Sequence, residues 1–157
     1  MPGQHAQVLD QAPGEKHALK RVFCEDVTGT LYNGMAVCYN RDYGTAADVV
    51  WGRATRVEKP TTTNSPYFAG LITGLPSSGH NLATAATGKR LTIVEGRVAQ
   101  VCIAYCAIGT YSFGYAVYLQ NGSYMLSRTA TPFRVGIAVQ AVTLAAAGEV
   151  QILLDGV

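Results

Sequence analysis

Charged side chains are scarce in this chain. Asp, Glu, Lys and Arg together make up 14% of its 157 residues, whereas an ordinary soluble domain has roughly 25%. The net charge is only +2 at pH 7, which is too small to indicate a nucleic-acid-binding surface. We therefore expect no direct contact with nucleic acid, and a surface that is partly covered by another protein.

Long apolar runs are also missing. No stretch approaches the roughly 18 apolar residues that a membrane-spanning helix needs. Residues 1–20 are polar and are interrupted by Pro and Gly, which does not fit a signal peptide. The sequence therefore predicts a protein with no membrane contact that folds in a reducing cytoplasm.

The residues that usually hold metals are few and dispersed. The three histidines are His5, His17 and His80, and none of them lies near another. The four cysteines, at positions 24, 38, 102 and 106, form no Cys-x-x-Cys pair. Nucleophile-elbow, phosphate-loop and calcium-loop motifs are absent as well. We therefore expect no metal, no cofactor and no enzyme activity.

The cysteines are best interpreted as small buried hydrophobic residues. Cys102 and Cys106 lie four residues apart in an apparent strand. They would share one face about 13 Å apart, which is too far for a mutual disulfide. A Cys24–Cys38 disulfide is the alternative to four free thiols.

Two apolar runs near the end of the chain, residues 133–139 and 150–154, alternate with period two. Val150, Ile152 and Leu154 fall on one face of the second run. This spacing predicts half-buried strands that form a closing hairpin. Seventeen glycines and nine tyrosines accompany them, which suits sheets with tight turns.

Further strands are predicted at residues 18–25 and 35–39. Residues 90–107 form either two strands around Glu95-Gly96-Arg97 or one bent strand with a bulge at Gly96. Helix-forming patterns are short and lack caps.

Asn121-Gly122 is the clearest local signal, since this dipeptide favours a two-residue hairpin turn. Such a turn would set Leu119 opposite Tyr124 and Tyr118 opposite Met125.

A pattern of glycines and aliphatic residues occurs twice. Each copy has Gly-x-Ala-Val, then Pro-aromatic-x-x-Gly-aliphatic, then a later aliphatic-acid-Gly. The matched pieces are 33–37 with 113–117, 66–72 with 132–138, and 93–96 with 153–156. The frame is imperfect, because it sets Leu91 against the polar Gln151. It predicts an internal duplication, with units at about 30–98 and 111–157 and an insertion at 40–65.

At this length we expect one domain. The fold class is predicted to be all-β, either a small barrel or a two-sheet sandwich built from two similar β units over residues 18–157. Residues 1–17 are either a disordered tail or an extended arm that docks on a neighbour through Val8 and Leu9.

Glu95 and Asp155 occupy matched positions in the two copies. A turn role, in which the acid accepts backbone hydrogen bonds, is favoured for both, and a catalytic carboxylate pair is the alternative. The single Trp51 is a core residue or, if exposed, an interface anchor. Tyr43, Arg53 and Arg56 lie close to it in sequence and are candidate contact residues.

The pattern Gly-x-Ala-Val, Pro-Phe-x-Val-Gly-Ile-Ala, Ala-Ala-Ala-Gly-Glu and a terminal aliphatic run resembles tailed-phage capsid decoration proteins, also called cement or head-stabilising proteins. The likeness is strongest over residues 111–157 and extends to 30–40 and 66–98. It implies a β-rich structural protein on the capsid exterior of a bacteriophage virion. The implied partners are the major capsid protein and two further copies in a homotrimer, with no enzyme activity and no cofactor.

Two other interpretations remain open. The chain is alternatively a phage tail or fibre module that binds a glycan or a protein through exposed Tyr and Trp51. The third interpretation is a small β-barrel enzyme or nucleic-acid binder.

Overall fold

The computed structural model describes residues 8–10, 19–40, 56–84 and 89–155, which are built almost entirely from β-strands. The strands are β1 Val8–Asp10, β2 Leu19–Cys24, β3 Thr30–Leu31, β4 Ala36–Tyr39, β5 Arg56–Glu58, β6 Phe68–Thr73, β7 His80–Asn81, β8 Arg90–Glu95, β9 Gln100–Cys106, β10 Gly109–Tyr111, β11 Ala116–Tyr118, β12 Arg134–Ala138, β13 Val142–Leu144 and β14 Gly148–Leu154. Within these ranges the helical structure is one 3-10 turn at Ser65–Tyr67. The predicted all-β fold class is confirmed.

The first unit, residues 19–95, is a closed barrel with the strand order β2-β5-β4-β6-β8. The β2–β5 pair is parallel, and the other pairs are antiparallel. On β2, Val22 and Cys24 are buried while Leu19 and Arg21 are exposed, as the period-two pattern predicts. Closure depends on β5, which joins β2 to β4 and removes the open edges of the sheet.

In the second unit, residues 100–155, four strands and the N-terminal β1 form a sheet with the order β1-β9-β14-β12-β11. Its longest ladder pairs all seven residues of β9 with all seven of β14. Val150, Ile152 and Leu154 are fully buried on one face, as the sequence predicts. Residues 90–107 form two strands, which decides between the two alternatives given for that stretch.

Two short antiparallel sheets complete the architecture. β3 pairs with β7 in the first unit, and β10 pairs with β13 in the second. Leu31 and Tyr111 lie at corresponding positions in these sheets, and both side chains are fully buried.

The two units share one ladder register. In the first, Ala36 pairs with Leu71 and Val37 with Gly70, and the register then slips at Cys38. The second unit repeats this arrangement, with Ala116 opposite Ile137, Val117 opposite Gly136 and a slip at Tyr118. Equivalent strands therefore lie in the same order and the same registry.

The third strands of the two units, β8 and β14, also correspond, but with a shift of one residue from the alignment of the two copies that the sequence predicts. Leu71 pairs with Val94 and Ile137 with Leu153, so Val94 is equivalent to Leu153 and not to Leu154. Leu91 then corresponds to the buried Val150 rather than to Gln151. This removes the mismatch in the sequence frame, because a one-residue slip exchanges the buried and exposed faces of a strand.

Glycines at matched positions support the shifted frame. A Cβ on Gly70 would collide with the carbonyl oxygen of Val94, and a Cβ on Gly136 with that of Leu153. Both positions need glycine because a neighbouring strand's backbone approaches closely.

The correspondence extends to a strand outside the sequence frame. With Val94 equivalent to Leu153, the ladders make β2 equivalent to β9 and Cys24 equivalent to Cys106. Cys24 pairs in parallel with Val57 of β5, and Cys106 forms a parallel bridge to Leu126. Leu126 therefore takes the place of β5, so the second unit is the same barrel with its fifth strand reduced to isolated bridges.

An apolar cluster joins the two units. It combines Phe68, Leu71 and Val94 of the first unit with Val150, Ile152 and Leu154 of the second. Burial of each large aliphatic side chain contributes about 1.5–3 kcal/mol. The units therefore pack as one body through a shared core.

The predicted two-residue hairpin at Asn121-Gly122 is wrong in register. A turn forms there, but Tyr118 bridges to Ser127 instead of Met125. Gly122 has φ +75°, whereas the described non-glycine residues include none at positive φ, so Asn121 does not adopt the turn type that pairs the flanking residues. Tyr124 inserts into the first unit instead, where its side chain is buried.

Candidate interaction surfaces

Each unit carries a tight turn just before its Ala-Val strand. Residues 32–35 form the first turn and residues 112–115 form the second turn. Both place a glycine, Gly34 or Gly114, at φ +88°, a left-handed conformation that glycine adopts without steric cost.

Each turn makes the same backbone hydrogen bonds within its own unit. In the first turn, Gly34 N–H donates to the carbonyl of Ile72, Ile72 N–H donates to Met35, and Met35 N–H donates to Tyr32. The second turn has the corresponding bonds from Gly114 to Ala138, from Ala138 to Tyr115 and from Tyr115 to Ser112. The turns therefore differ in their side chains and surroundings and not in their backbone.

The first turn is covered by the second unit. Tyr105 N–H on β9 donates to the Gly34 carbonyl at 2.9 Å. The rings of Tyr32 and Tyr105 stack with centroids 5.4 Å apart and planes 16° apart. Met35 is only 6% exposed, and a Cβ on Gly34 would lie 2.7 Å from the Tyr105 nitrogen.

The second turn is uncovered in the chain as described. Phe113 is 74% exposed and Tyr115 is 42% exposed. A Cβ added to Gly114 would meet nothing within 4 Å, and the described residues donate no hydrogen bond to the Gly114 carbonyl. Exposed aromatic side chains on a fixed backbone are typical of protein-interface anchors.

Arg128 fixes one side of this exposed surface. Its guanidinium carbon lies 4.0 Å from the centroid of the Tyr115 ring. Its Nη1 donates to the carbonyl of Thr110 at 2.6 Å. A cation over an aromatic face at this distance is attractive, so the Tyr115 ring is held in place before any partner arrives.

A second exposed apolar feature occurs once in each unit. Val27 follows the end of β2 and is 66% exposed, and Ile108 follows the end of β9 and is 68% exposed. Because β2 and β9 are equivalent strands, these residues lie at the same end of their respective units. We call them the paired aliphatic tips.

A cleft of about 200 Å³ opens beside the contact between the units. Its lining residues are Tyr32, Asn33, Pro76, Ser77, Tyr105 and Glu149. Burial raises the pKa of the Glu149 carboxyl above its usual value. Burial, followed by the neighbouring Tyr32 and Glu149, raises the pKa of Tyr105.

A buried tyrosine fastens the joint between the units. The Tyr124 hydroxyl donates to the Asp26 carboxylate, and Ala36 N–H donates to the Tyr124 carbonyl at 2.8 Å. Lys59 lies over the ring with its Nζ 5.2 Å from the centroid. Burial and the hydrogen bond to Asp26 raise the pKa of Tyr124 far above its usual range, so the hydroxyl stays a neutral donor.

The contact residues predicted from sequence are only partly described. Val8 and Leu9 lie in β1, which pairs antiparallel with β9 of its own chain. Tyr43, Trp51 and Arg53 fall outside the described residues.

Arg56 lies in β5, inside the barrel wall. Its side chain is 12% exposed, and it forms an ion pair with Glu25. This position leaves little of the guanidinium for an outside partner, and a capsid contact at Arg56 stays a prediction.

The two acids of the candidate catalytic pair, Glu95 and Asp155, make different contacts in the structure. Asp155 forms an ion pair with Arg134 across neighbouring strands. Glu95 ends β8, and its backbone carbonyl accepts a hydrogen bond from Gln100. In the ladder register Glu95 corresponds to Leu154, so the two acids are not equivalent.

The thiols lie in the apolar core of the protein. All four cysteines are free and buried, which leaves no Cys24–Cys38 disulfide. Burial raises the pKa of Cys24 from 9.0 to about 11, and that of Cys102 and Cys106 to about 12. Such thiols are poor nucleophiles at neutral pH. Within the described ranges, His, Cys, Asp and Glu form no group of three that could hold a metal ion.

The exposed second turn was not recognised as a site from sequence. A signal was present in the repeat itself, because Phe113 replaces the buried Asn33 and Tyr115 replaces the buried Met35. Large aromatic side chains at positions that are covered in the other copy indicate a second covering surface. No comparable sequence pattern indicates that Val27 and Ile108 are exposed.

The part of the chain that the structure describes contains no helix long and apolar enough to cross a membrane. Comparison with protein-family models, with curated proteins and with solved structures finds no match to this chain.

Proposed function

We propose that this chain is a structural virion protein that binds the outer surface of an assembled phage capsid. In this role it stabilises the shell by bridging neighbouring major capsid protein subunits. The observation that carries the proposal is the pair of aliphatic tips, Val27 and Ile108, which lie at the same end of their respective units, the two units sharing one core.

A body with two equivalent attachment points suits a surface of repeated subunits. Each tip offers one exposed aliphatic side chain, which supplies modest affinity alone. Attachment of the second tip is intramolecular once the first is bound, so the combined affinity exceeds either contact. Two points fixed on one core also resist separation of the two subunits that they contact.

The low charge of the chain agrees with this role. Protein interfaces are depleted of charged residues at their centres and enriched in tyrosine and other aromatic residues. The chain has 14% charged residues and nine tyrosines. Assembly as a homotrimer would multiply the number of attachment points per particle.

The test is sedimentation of purified protein with capsid shells that lack it. The wild-type chain should pellet with shells and stay in the supernatant without them. Val27→Asp and Ile108→Asp should each weaken retention roughly tenfold or more, since about 1.4 kcal/mol of lost contact energy corresponds to that factor. The double variant should lose retention.

Val98→Asp is the matched control. Val98 is also exposed, but it lies between β8 and β9, at the end of the barrels opposite to the tips. It should pellet like the wild type. Failure of the wild-type chain to pellet with shells would end the proposal. Normal binding by the double variant would show that the aliphatic tips are not the attachment points.

The other contact residues have their own tests. Deletion of residues 1–17 should weaken retention on shells while the far-ultraviolet circular dichroism stays that of a β protein. Alanine at Tyr43, Trp51 or Arg53 should do the same if these residues contact the shell. Unchanged occupancy by the truncated chain would contradict a role for the arm.

The cleft between the units favours a second candidate, a tail or fibre module that binds a glycan. Stacked tyrosines beside a carboxylate, as in Tyr32, Tyr105 and Glu149, combine apolar ring faces with a hydrogen-bond acceptor. Glycan-array binding that Tyr32→Ala abolishes, together with no retention on shells, would favour this function over the first.

A further inference from the structure

We propose that the cleft beside the contact between the units receives the guanidinium group of an arginine side chain that a partner protein supplies. The inference concerns the chemistry of this one cleft, and it does not depend on whether the partner is a capsid subunit. It follows from the groups that line the cleft and from its size.

The walls of the cleft are fixed by contacts within the chain. They come from the first turn, the segment after β6, and the strands β9 and β14. The Asn33 amide donates to the Leu75 carbonyl and accepts from the Leu75 N–H, both at 2.8 Å, which ties the first turn to the segment after β6. Tyr105 and Glu149 are paired in the β9–β14 ladder. The lining groups are therefore in place before a ligand arrives.

The cleft combines a carboxylate with aromatic rings. Residues directly opposite each other in an antiparallel ladder have neighbouring side chains, so the Glu149 carboxylate lies beside the Tyr105 ring. Tyr32 stacks on that ring from the first turn. The face of a tyrosine ring attracts a cation, and the hydroxyl oxygen accepts hydrogen bonds. These groups together favour a positively charged ligand that carries hydrogen-bond donors.

The described residues supply no such positive charge. The described lining contains no Lys, Arg or His, and no described residue forms an ion pair or a side-chain hydrogen bond with Glu149. Burial raises the pKa of the Glu149 carboxyl above its usual value. A bound cation would offset that burial, because an opposite charge nearby stabilises the ionised carboxylate.

The size of the cleft limits the ligand to a group about as large as one side chain. Its volume of about 200 Å³ is below the roughly 300–1,000 Å³ of pockets that hold small-molecule ligands. A guanidinium group is planar, so it stacks on an aromatic face and donates two parallel hydrogen bonds to a carboxylate. Arg128 already places its guanidinium over the Tyr115 ring in this chain. Arginine is also enriched at protein interfaces.

The first test titrates the ¹⁵N-labelled protein with Nα-acetyl-arginine amide and follows the backbone amide signals by NMR. We expect saturable shifts centred on Tyr32, Tyr105 and Glu149. The dissociation constant should be on the order of 1 mM, because so small a ligand makes few contacts. Nα-acetyl-citrulline amide has nearly the same shape without the charge and should bind roughly tenfold more weakly or less. No saturable shift at these residues, or equal binding of the citrulline compound, would overturn the inference.

The second test removes the carboxylate. Glu149→Gln should weaken binding of Nα-acetyl-arginine amide roughly tenfold or more, since a neutral amide replaces the charged acceptor. Glu95→Gln is the matched control, because it removes the same charge from a position outside the cleft lining, and it should bind like the wild type. Equal weakening in both variants would overturn the inference by showing that net charge alone attracts the ligand. The citrulline comparison uses the wild-type chain, so it decides the inference even if a variant does not fold.

Two further ligands identify the source of the positive charge. Glucosamine carries an ammonium group on a sugar, and lactose is a neutral sugar of larger size. Nα-acetyl-arginine amide should bind more tightly than either of them. Tighter binding of glucosamine or lactose at the same residues would overturn the assignment to a protein side chain. Capsid sedimentation is read separately, so this inference and the proposed function fail by different measurements.

Discussion

Replacing Gly34 with alanine should destabilise the protein far more than the same change at Gly114. Both glycines have φ +88° and make equivalent backbone hydrogen bonds within their own unit. They differ in that the first turn lies against β9 and the second is open. Comparing the two alanine variants therefore separates the free-energy cost of backbone strain from the cost of disturbing the contact between the units.

The magnitudes follow from the two surroundings. Alanine in the left-handed region costs roughly 1–2 kcal/mol, which applies to both variants. At Gly34 the new Cβ would also lie 2.7 Å from the Tyr105 nitrogen and 2.9 Å from the Ala104 carbonyl carbon. Displacing packed groups costs about 1–3 kcal/mol, and weakening the Tyr105–Gly34 hydrogen bond costs about 1 kcal/mol.

We therefore expect Gly34→Ala to lose about 3–6 kcal/mol of unfolding free energy and Gly114→Ala about 1–2 kcal/mol. Urea titrations followed by tryptophan fluorescence give both values from the midpoints. They are run at protein concentrations low enough that the wild-type chain is monomeric, so that association contributes nothing. Equal losses in the two variants would refute the assignment of the first turn to the joint.

Three further predictions concern the buried polar groups. Tyr124→Phe removes the hydroxyl that donates to Asp26 and should cost about 1.5–3 kcal/mol in urea titrations, since the acceptor is charged. Glu25→Gln removes the carboxylate that forms an ion pair with the largely buried Arg56 and should cost about 2–4 kcal/mol by the same measurement. Burial raises the pKa of Cys24 to about 11, so its stabilising contribution is complete below pH 9 and is lost as pH rises from 9 towards 11. At pH 10 this loss is about 1.4 kcal/mol of unfolding free energy for each such thiol.

Each of these has a matched control. Tyr118→Phe removes a hydroxyl for which the described residues show no hydrogen bond, and it should change stability by less than about 0.5 kcal/mol. Asp155→Asn breaks an ion pair whose arginine, Arg134, is 50% exposed, and should cost at most about 1 kcal/mol. Cys24→Ala should lower stability at pH 7 but should flatten its decline between pH 8 and 10. Controls that match their partners would show that these buried contacts do not carry the stability assigned to them.

The period of two and the repeated glycine pattern were sufficient to predict the class of fold. Alternating burial on β9 and β14 follows from residue spacing alone, because successive side chains in a strand point to opposite faces. The Gly-x-Ala-Val pieces located equivalent strands. The predicted alignment of the two copies was wrong by one residue at the third strand. Both possible alignments match aliphatic residues of β8 with aliphatic residues of β14, and only the pairing with the neighbouring strand distinguishes the two alignments.

The Asn121-Gly122 turn shows where local chemistry loses to long-range packing. The dipeptide favours a tight hairpin, and that hairpin would expose Tyr124 on a strand. Burial of the Tyr124 side chain beside Asp26 in the first unit pulls the following segment away from its neighbour. The contact spans 98 residues of sequence, so no local pattern could have predicted it.

By itself the sequence determined that this protein is a β protein with a repeated unit, few charges and buried thiols. These properties follow from composition and spacing, which act within a strand or between neighbouring residues. The tertiary structure alone decided which turn is covered, because the two turns have the same backbone and differ only in what packs on them. It also decided that the first barrel is closed by β5 and that each aliphatic tip lies at the same end of its own unit, since both depend on pairing between distant segments.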